Sequence, residues 1–304
     1  MNSVSIKSYA KINLTLDIVG GKDGYHLLDS FVANVDLYNL VTLKKRKDKL
    51  VSGRMLGMGM DSVPFENTNA CKVAEAFVET FQTSGVEIVI YENIPVGAGL
   101  GGSSADSAGV LKGLAELFEI PIEKTYEIAN RFGSDIRYML RGGYARMKGR
   151  GEIVESLPSG KSLDILLLCP ATPVSAGACY QEYDRIGAGT NRKATDEAVS
   201  AYQSGEIERL CQTLSNDLFE ASKRLNQDVE KAYEELQSFS PMGVTQTGSG
   251  SAVFAVFETA ELCEWAKSRY RGKFRAIVTK TVEPKRKKIW KNPFVLSKSE
   301  REMK

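Results

Sequence analysis

The chain is poor in histidine, tryptophan and paired cysteine: 304 residues hold one His, two Trp and five Cys, with no Cys-x-x-Cys among them. A single histidine leaves no His-based metal motif. The scattered cysteines (Cys71, Cys169, Cys179, Cys211, Cys263) argue against a zinc site or a disulfide framework and suit a reducing compartment. An excess of one charge is missing too, since 40 basic against 38 acidic residues leave a net +2. That argues against a nucleic-acid or membrane partner, and the expected ligand is a small molecule. No apolar run approaches a membrane span, and the N-terminus has neither the apolar core nor the cleavage motif of a secretory signal. A cytoplasmic location is expected. No short-period repeat is present, and the 42% hydrophobic and 26% charged fractions are ordinary for a globular chain of two domains.

What the chain does have is glycine in one place. Residues 95–108 read Pro-Val-Gly-Ala-Gly-Leu-Gly-Gly-Ser-Ser-Ala-Asp-Ser-Ala, with four glycines inside six positions. Before them, residues 86–94 alternate and are rich in Val and Ile, which reads as a strand. After them, Val110, Leu111, Leu114, Leu117 and Phe118 recur at helical steps. Strand, glycine loop and helix in that order make an anion site, because glycines admit a phosphate to the backbone and the helix offers its first N–H groups. Ser103, Ser104 and Ser107 add hydroxyls for phosphate or magnesium. No Gly-Lys-Ser/Thr follows, so this is not the Lys-bearing P-loop. Gly97, Gly99 and Gly102 fit the dinucleotide-fold spacing, but the downstream ribose carboxylate is missing. Local reading gives a phosphate cradle of a third type.

Elsewhere the residues are less committal. Lys11 and Asn13 share one face of an N-terminal strand, where a lysine is usually just solvated, and Gly20-Gly21 closes that strand with a turn. His26 follows Tyr25 on a loop, a pair suited to stacking on and bonding to a base. A strand is expected over 35–46. Asn69 reads as the N-cap of a helix through Val73, Phe77 and Phe81, and could equally face a nucleotide. Pro121 opens a helix over 122–132 that Gly133 ends. Asp135 behind it is either another N-cap or a carboxylate delivered to a site. A strand over 144–148 runs into the turn Gly149-Arg150-Gly151-Glu152. The second half reads as a buried strand over 165–169, a helix bearing Tyr180 and Tyr183, and an exposed link at 186–194. Helices in two or three pieces over 195–239 come next, then a polar loop at 245–251, a strand over 252–257, a helix over 261–270 and a strand over 274–282. The whole is α+β, and the loop at 95–108, Asp135 and the loop at 247–251 are expected to meet in one cleft.

These residues together resemble the GHMP kinases. The matching stretches are Ala10-Lys11-Ile12-Asn13-Leu14, Asp23-Gly24-Tyr25-His26, Asn69, residues 95–104, Gly133-Ser134-Asp135, Gly149-Arg150-Gly151-Glu152, Val174-Ser175 with Tyr180, and residues 247–251. Asp-Gly-Tyr-His behind Ala-Lys-x-Asn-Leu points to the branch whose acceptor is a methylerythritol carried on a cytidine diphosphate. The resemblance implies a two-domain fold, 1–157 binding ATP and 158–283 completing the cleft, followed by a basic tail at 284–304. It implies ATP along Pro95, Val96, Gly97, Ala98, Gly99, Leu100, Gly101, Gly102, Ser103, Ser104 and Ala105, with Asn69 near the adenosine and magnesium assisting. Lys11 and Asp135 become the catalytic pair. Asn13 holds the polyol, Tyr25 and Tyr180 flank a cytosine that His26 bonds, and Thr247, Gly248 and Ser249 face the substrate. The metal ligands stay unassigned, and a monomer or homodimer is expected.

Three departures from the family pattern stand out: Arg137 where a proline is usual, Ser103-Ser104-Ala105 in place of Gly-Ser-Ser, and the tail. A homoserine, mevalonate or sugar kinase is one alternative, disfavoured by Tyr25, His26 and Tyr180. A catalytically silent ligand-binding member is the other, disfavoured by Lys11 and Asp135.

Overall fold

The structure is a computed structural model that describes residues 2–187 and 193–283. Part of the expected link at 186–194 and the expected tail at 284–304 lie outside these residues. In chain order the elements are β1 (Ser3–Asn13), β2 (Thr15–Lys22), β3 (Tyr25–Lys45), β4 (Val51–Leu56), α1 (Asn69–Phe81), β5 (Val86–Tyr91), α2 (Gly102–Leu117), α3 (Tyr126–Phe132), α4 (Ile136–Arg141), β6 (Tyr144–Gly149) and β7 (Ile153–Ser156). Then come β8 (Asp164–Cys169), α5 (Ala176–Ile186), α6 (Ala194–Gln203), α7 (Ile207–Gln212), β9 (Ser215–Asn216), α8 (Phe219–Leu225), α9 (Gln227–Gln237), β10 (Gly243–Gln246), β11 (Val253–Phe257), α10 (Ala260–Arg269) and β12 (Arg275–Lys280).

Two sheets organise them. The first has eight strands and is built around β3, which pairs with β1, β2, β5 and β6. The second runs β10-β11-β8-β12, antiparallel throughout. The first sheet buries one face under α1 and α2, so β5 alternates strictly: Val86, Ile88 and Ile90 inside, Glu87 and Tyr91 outside. The helix α2 lies unusually close to this sheet. Gly109 and Gly113, one helical turn apart, face it, and a Cβ on Gly113 would stand 2.2 Å from Leu43 Cδ1. Each glycine costs the helix about 1 kcal/mol relative to alanine; the close approach of helix to sheet is what they allow.

Several expectations shift. The strand expected over 35–46 begins at Tyr25, and the turn before it falls at Asp23-Gly24 rather than Gly20-Gly21, which lie inside β2. The 122–132 helix is a 3-10 turn over Ile122–Thr125 followed by α3, and Gly133 ends it in extended backbone at φ 172°. The 195–239 stretch is four helices with a two-residue strand, β9, pairing parallel with β2. Thr245 and Gln246 belong to β10 rather than to a loop.

The two halves exchange parts. Ala198, Ala201 and Tyr202 of α6 pack in the core of the first sheet, while Leu16 and Ile18 of β2 pack in the core of the second. The end of the described chain returns to β3, where Val282 donates its N–H to Asn34 O at 2.9 Å. No helix among the described residues is long and apolar enough to cross a membrane.

Candidate active site

The phosphate loop is stitched to both halves. Lys11 N–H of β1 donates to Leu100 O at 3.0 Å, and Ala252 N–H, just before β11, donates to Ala98 O at 3.1 Å. Ala98 and Leu100 are anchored in the core, whereas Val96, Gly97 and Ser103 face outward. Two glycines let the loops interlock. A Cβ on Gly99 would meet Thr247 O at 2.1 Å, and one on Gly101 would meet Met139 Cε at 2.6 Å and Lys11 Cγ at 3.1 Å. Only bare backbone fits at either place, and both have positive φ.

The expected meeting of three elements is therefore present. Lys11 Nζ lies 3.6 Å from Asp135 Oδ2, with the lysine 8% and the aspartate 31% exposed. Asp135 occupies the cap position of α4 but makes no side-chain capping bond. Of its two expected roles, the side-chain cap is absent. Burial and then the Asp135 charge push the phenol of Tyr180 above its ordinary range.

Asn13 is saturated. Its Oδ1 accepts from Lys11 Nζ at 2.5 Å and Gly248 N–H at 3.0 Å, and its Nδ2 donates to Ser30 Oγ at 2.8 Å. Expected as a ligand of the polyol, Asn13 here aims Lys11 and ties the 247–251 loop to β1. Thr247 Oγ1 accepts from Asn13 N–H at 3.1 Å and donates to Gly99 O at 3.2 Å. Ser249 offers its carbonyl to Ser222 Oγ at 3.0 Å. Sequence reading passed over Asn216, whose Nδ2 donates to Gly248 O at 2.8 Å and Gln246 O at 3.1 Å and braces this loop from below.

A cavity of about 330 Å³ opens beside the phosphate loop, lined by Thr68, Asn69, Val96, Gly97, Gly102 and Ser103 among others. Asn69 is the first residue of α1; the cap is Thr68, whose hydroxyl accepts from Cys71 N–H at 3.2 Å. Freed of capping, Asn69 donates to Phe132 O at 3.3 Å and faces the cavity. Ser107 is fully buried and donates to Ser103 O at 2.9 Å, so its hydroxyl is not offered to a phosphate. Ser104 Oγ packs toward Gly133, and Ala105 is fully buried, its carbonyl accepting from Ser8 Oγ. Arg137 stacks on Tyr126 at 5.3 Å.

A second cluster gathers His26, Tyr180 and Tyr183, while Tyr25, next to His26 in β3, packs elsewhere. The His26 ring stacks on Tyr180 with centroids 4.8 Å apart, and its Nε2 lies 2.7 Å from Asp184 Oδ1. Tyr25 is 52% exposed, with the Arg150 guanidinium 3.6 Å over its ring. Gly151 of the same turn sits against Ser134 and Asp135. The Arg150-Gly151 turn thus links Tyr25 to the neighbourhood of Asp135.

The family model described as GHMP kinases N terminal domain matches residues 69–145, and that described as GHMP kinases C terminal matches residues 198–271. A 4-diphosphocytidyl-2-C-methyl-D-erythritol kinase of Clostridium beijerinckii is 34% identical over 288 residues, covering 92% of this chain and 100% of that protein. The chain belongs to the GHMP kinases. Within these kinases it is also 35% identical over 290 residues to the enzyme of the same name from Desulfitobacterium hafniense, covering 93% of this chain and 97% of that one. A crystal structure of a 4-(cytidine 5'-diphospho)-2C-methyl-D-erythritol kinase superposes with TM-score 0.78 at 24% identity, over 91% of this chain and 99% of that one. A homoserine kinase from Cytophaga hutchinsonii superposes at TM-score 0.70 and 15% identity, over 93% of this chain and 95% of that one. The two-domain α+β architecture is the one these GHMP kinases share.

Proposed function

We propose that the protein transfers the γ-phosphoryl group of ATP to the 2-hydroxyl of 4-diphosphocytidyl-2-C-methyl-D-erythritol. The observation that carries this reading is the Lys11–Asp135 pair at the glycine-rich loop, 3.6 Å apart, beside a histidine stacked on a tyrosine. The relatives that bear that name cover the chain from end to end of their own length, which supports the same substrate.

The roles follow from placement. Val96, Gly97 and Ser103 form the outward side of the loop that a polyphosphate would meet, and α2 directs its first amides there. The residues fit ATP: the cavity beside the loop is lined by Asn69, Val96 and Gly97 and suits the nucleoside. Among the described residues no three ligating side chains cluster, so magnesium would arrive on the phosphates rather than in a protein cage. Bound there it would offset charge on the transferred group. Asp135 orients the acceptor hydroxyl and stands where it can receive the proton as the new O–P bond forms and the β,γ-bridge bond breaks. Lys11 offsets the negative charge that develops. Tyr180, His26 and Tyr25 take the cytosine, the base replacing Arg150 on the Tyr25 ring. Thr247, Gly248 and Ser249 close the substrate side.

We place the division of the two domains at 157/158, as read from the sequence, and the protein in the cytoplasm. Five free, buried cysteines support the second placement. The test is a coupled assay of ADP release over four acceptors: the cytidine-diphosphate methylerythritol, homoserine, mevalonate and galactose. Turnover of the first alone is expected. Turnover of homoserine or mevalonate without the first overturns the assignment.

A further inference from the structure

Asn39 of β3 is fully buried and uses every hydrogen-bonding position of its amide. Its Oδ1 accepts the N–H groups of Asn93 at 2.8 Å and Ile94 at 2.9 Å, the two residues that lead from β5 into the phosphate loop. Its Nδ2 donates to Asp106 Oδ1 at 2.8 Å and to Glu92 Oε2. Glu92 and Asp106 are each 4% exposed, and both line the cavity that holds Asn69, Val96 and Gly97.

Two carboxyls converging on one amide nitrogen, away from water, do not both ionise without a cation. Among the described residues no lysine or arginine lines that cavity, and both carboxyls accept from the side chain of Asn39. The neighbours on the surrounding elements are Ser8 of β1, paired across from Asn39, Met55 of β4, Met60, and Asn67, Thr68 and Asn69 at the start of α1. None of these titrates. Arg275 of β12 approaches Asn93 Oδ1 at 3.5 Å. Burial raises both carboxyls, and the Glu92 charge raises Asp106 further, so the pair keeps one proton where ordinary carboxyls have lost theirs.

We propose that Asn39, Glu92 and Asp106 act as one set of positioning residues for the nucleotide, a single shared proton holding the joint between β5 and the phosphate loop in the shape that takes ATP. The inference rests on the reading of the cavity as the ATP site. Removing the proton sets two like charges side by side, drives Glu92 away from Asp106 and so shifts the joint that Asn39 bridges, and adds negative charge to a wall that faces an anion. Each of these weakens ATP. The acceptor side, Lys11 with Asp135, is built from other elements and is left alone.

The experiment measures the ATP dissociation constant, ATP KM and kcat over about pH 6 to 9, the range that buried carboxyls reach, for the full chain, Glu92→Gln and Asp106→Asn. Titration of the ATP phosphates is common to all three proteins and cancels in the comparison. In the unaltered chain the dissociation constant and KM are expected to rise with pH, approaching tenfold per unit above the pair's upper pKa, with kcat at saturating ATP following a different profile. Either amide variant is expected to flatten that rise, and whichever variant folds suffices. Parallel profiles for the variants and the unaltered chain overturn the proposal, whatever the variants do to stability. Absence of ATP binding at every pH overturns the ATP reading itself and this proposal with it, whereas pH-parallel binding overturns this proposal alone.

Discussion

Lys11 and Asp135 face each other across 3.6 Å from opposite sides of the phosphate loop, one delivered by β1 and the other by the start of α4. Neither position depends on a flexible segment. Asn13 holds the lysine, and the start of α4 sets the backbone position of the aspartate.

Asp135→Ala is expected to lower kcat by at least about 100-fold, the usual contribution of a positioned acid–base group, while ATP affinity changes little. Steady-state turnover and equilibrium ATP titration on the same preparation check it. An unchanged kcat would remove Asp135 from the chemistry.

His26→Ala is expected to raise KM for the cytidylyl substrate far more than KM for ATP. Asp184→Asn should do the same to a smaller extent, because Asp184 reaches the substrate only through the His26 ring it holds at 2.7 Å. Equal rises in both KM values would place His26 outside the base pocket.

Gly99→Ala should destabilise the fold by well over the ~1 kcal/mol that an incompatible backbone conformation costs alone, because its methyl would enter Thr247 O. Gly205→Ala is the control: its φ is 76° but nothing lies within 4 Å of the added carbon. Urea midpoints of the two variants separate collision from strain, and near-equal losses would mean that the loops do not interlock.

The buried carboxyl pair also has a sign in stability. Carboxyls raised in the folded state bind more protons there than in the unfolded chain, so their contribution is complete below the ordinary carboxyl range, about pH 4, and fades as pH rises through the raised values. Asp106→Asn should therefore unfold with less loss between about pH 5 and 8 than the unaltered chain does. Denaturant titrations at the two pH values read this directly, and identical slopes would show that the pair is not protonated.

Much of this was legible in the residues. The phosphate loop announced itself because four glycines and two serines have few other uses, and the β5 strand and α2 helix flanking it follow from plain periodicity. Lys11 was not legible by periodicity: a lysine at an inward strand position looks like any solvated lysine until Leu100 and Gly101 are seen to cover it. Asn69 reads equally as a cap or as a residue facing a nucleotide, because Thr68 and Asn69 are both good capping residues and one position decides which side chain is left over. Asn39 and Asn216 gave almost no signal. Each is a lone amide in a short local pattern, and its partners lie at Asn93 and Asp106, or at Gln246 and Gly248, distant in sequence. Tertiary hydrogen bonding of that kind leaves no period to read.

The bond from Gly248 to Asn13 spans 235 residues and shares its acceptor oxygen with Lys11 Nζ. A chain emerging from the ribosome can form β1, the phosphate loop and α4 well before residue 248 is made. Until then Asn13 lacks one of the partners that fix it, and Lys11 lacks a fixed aim.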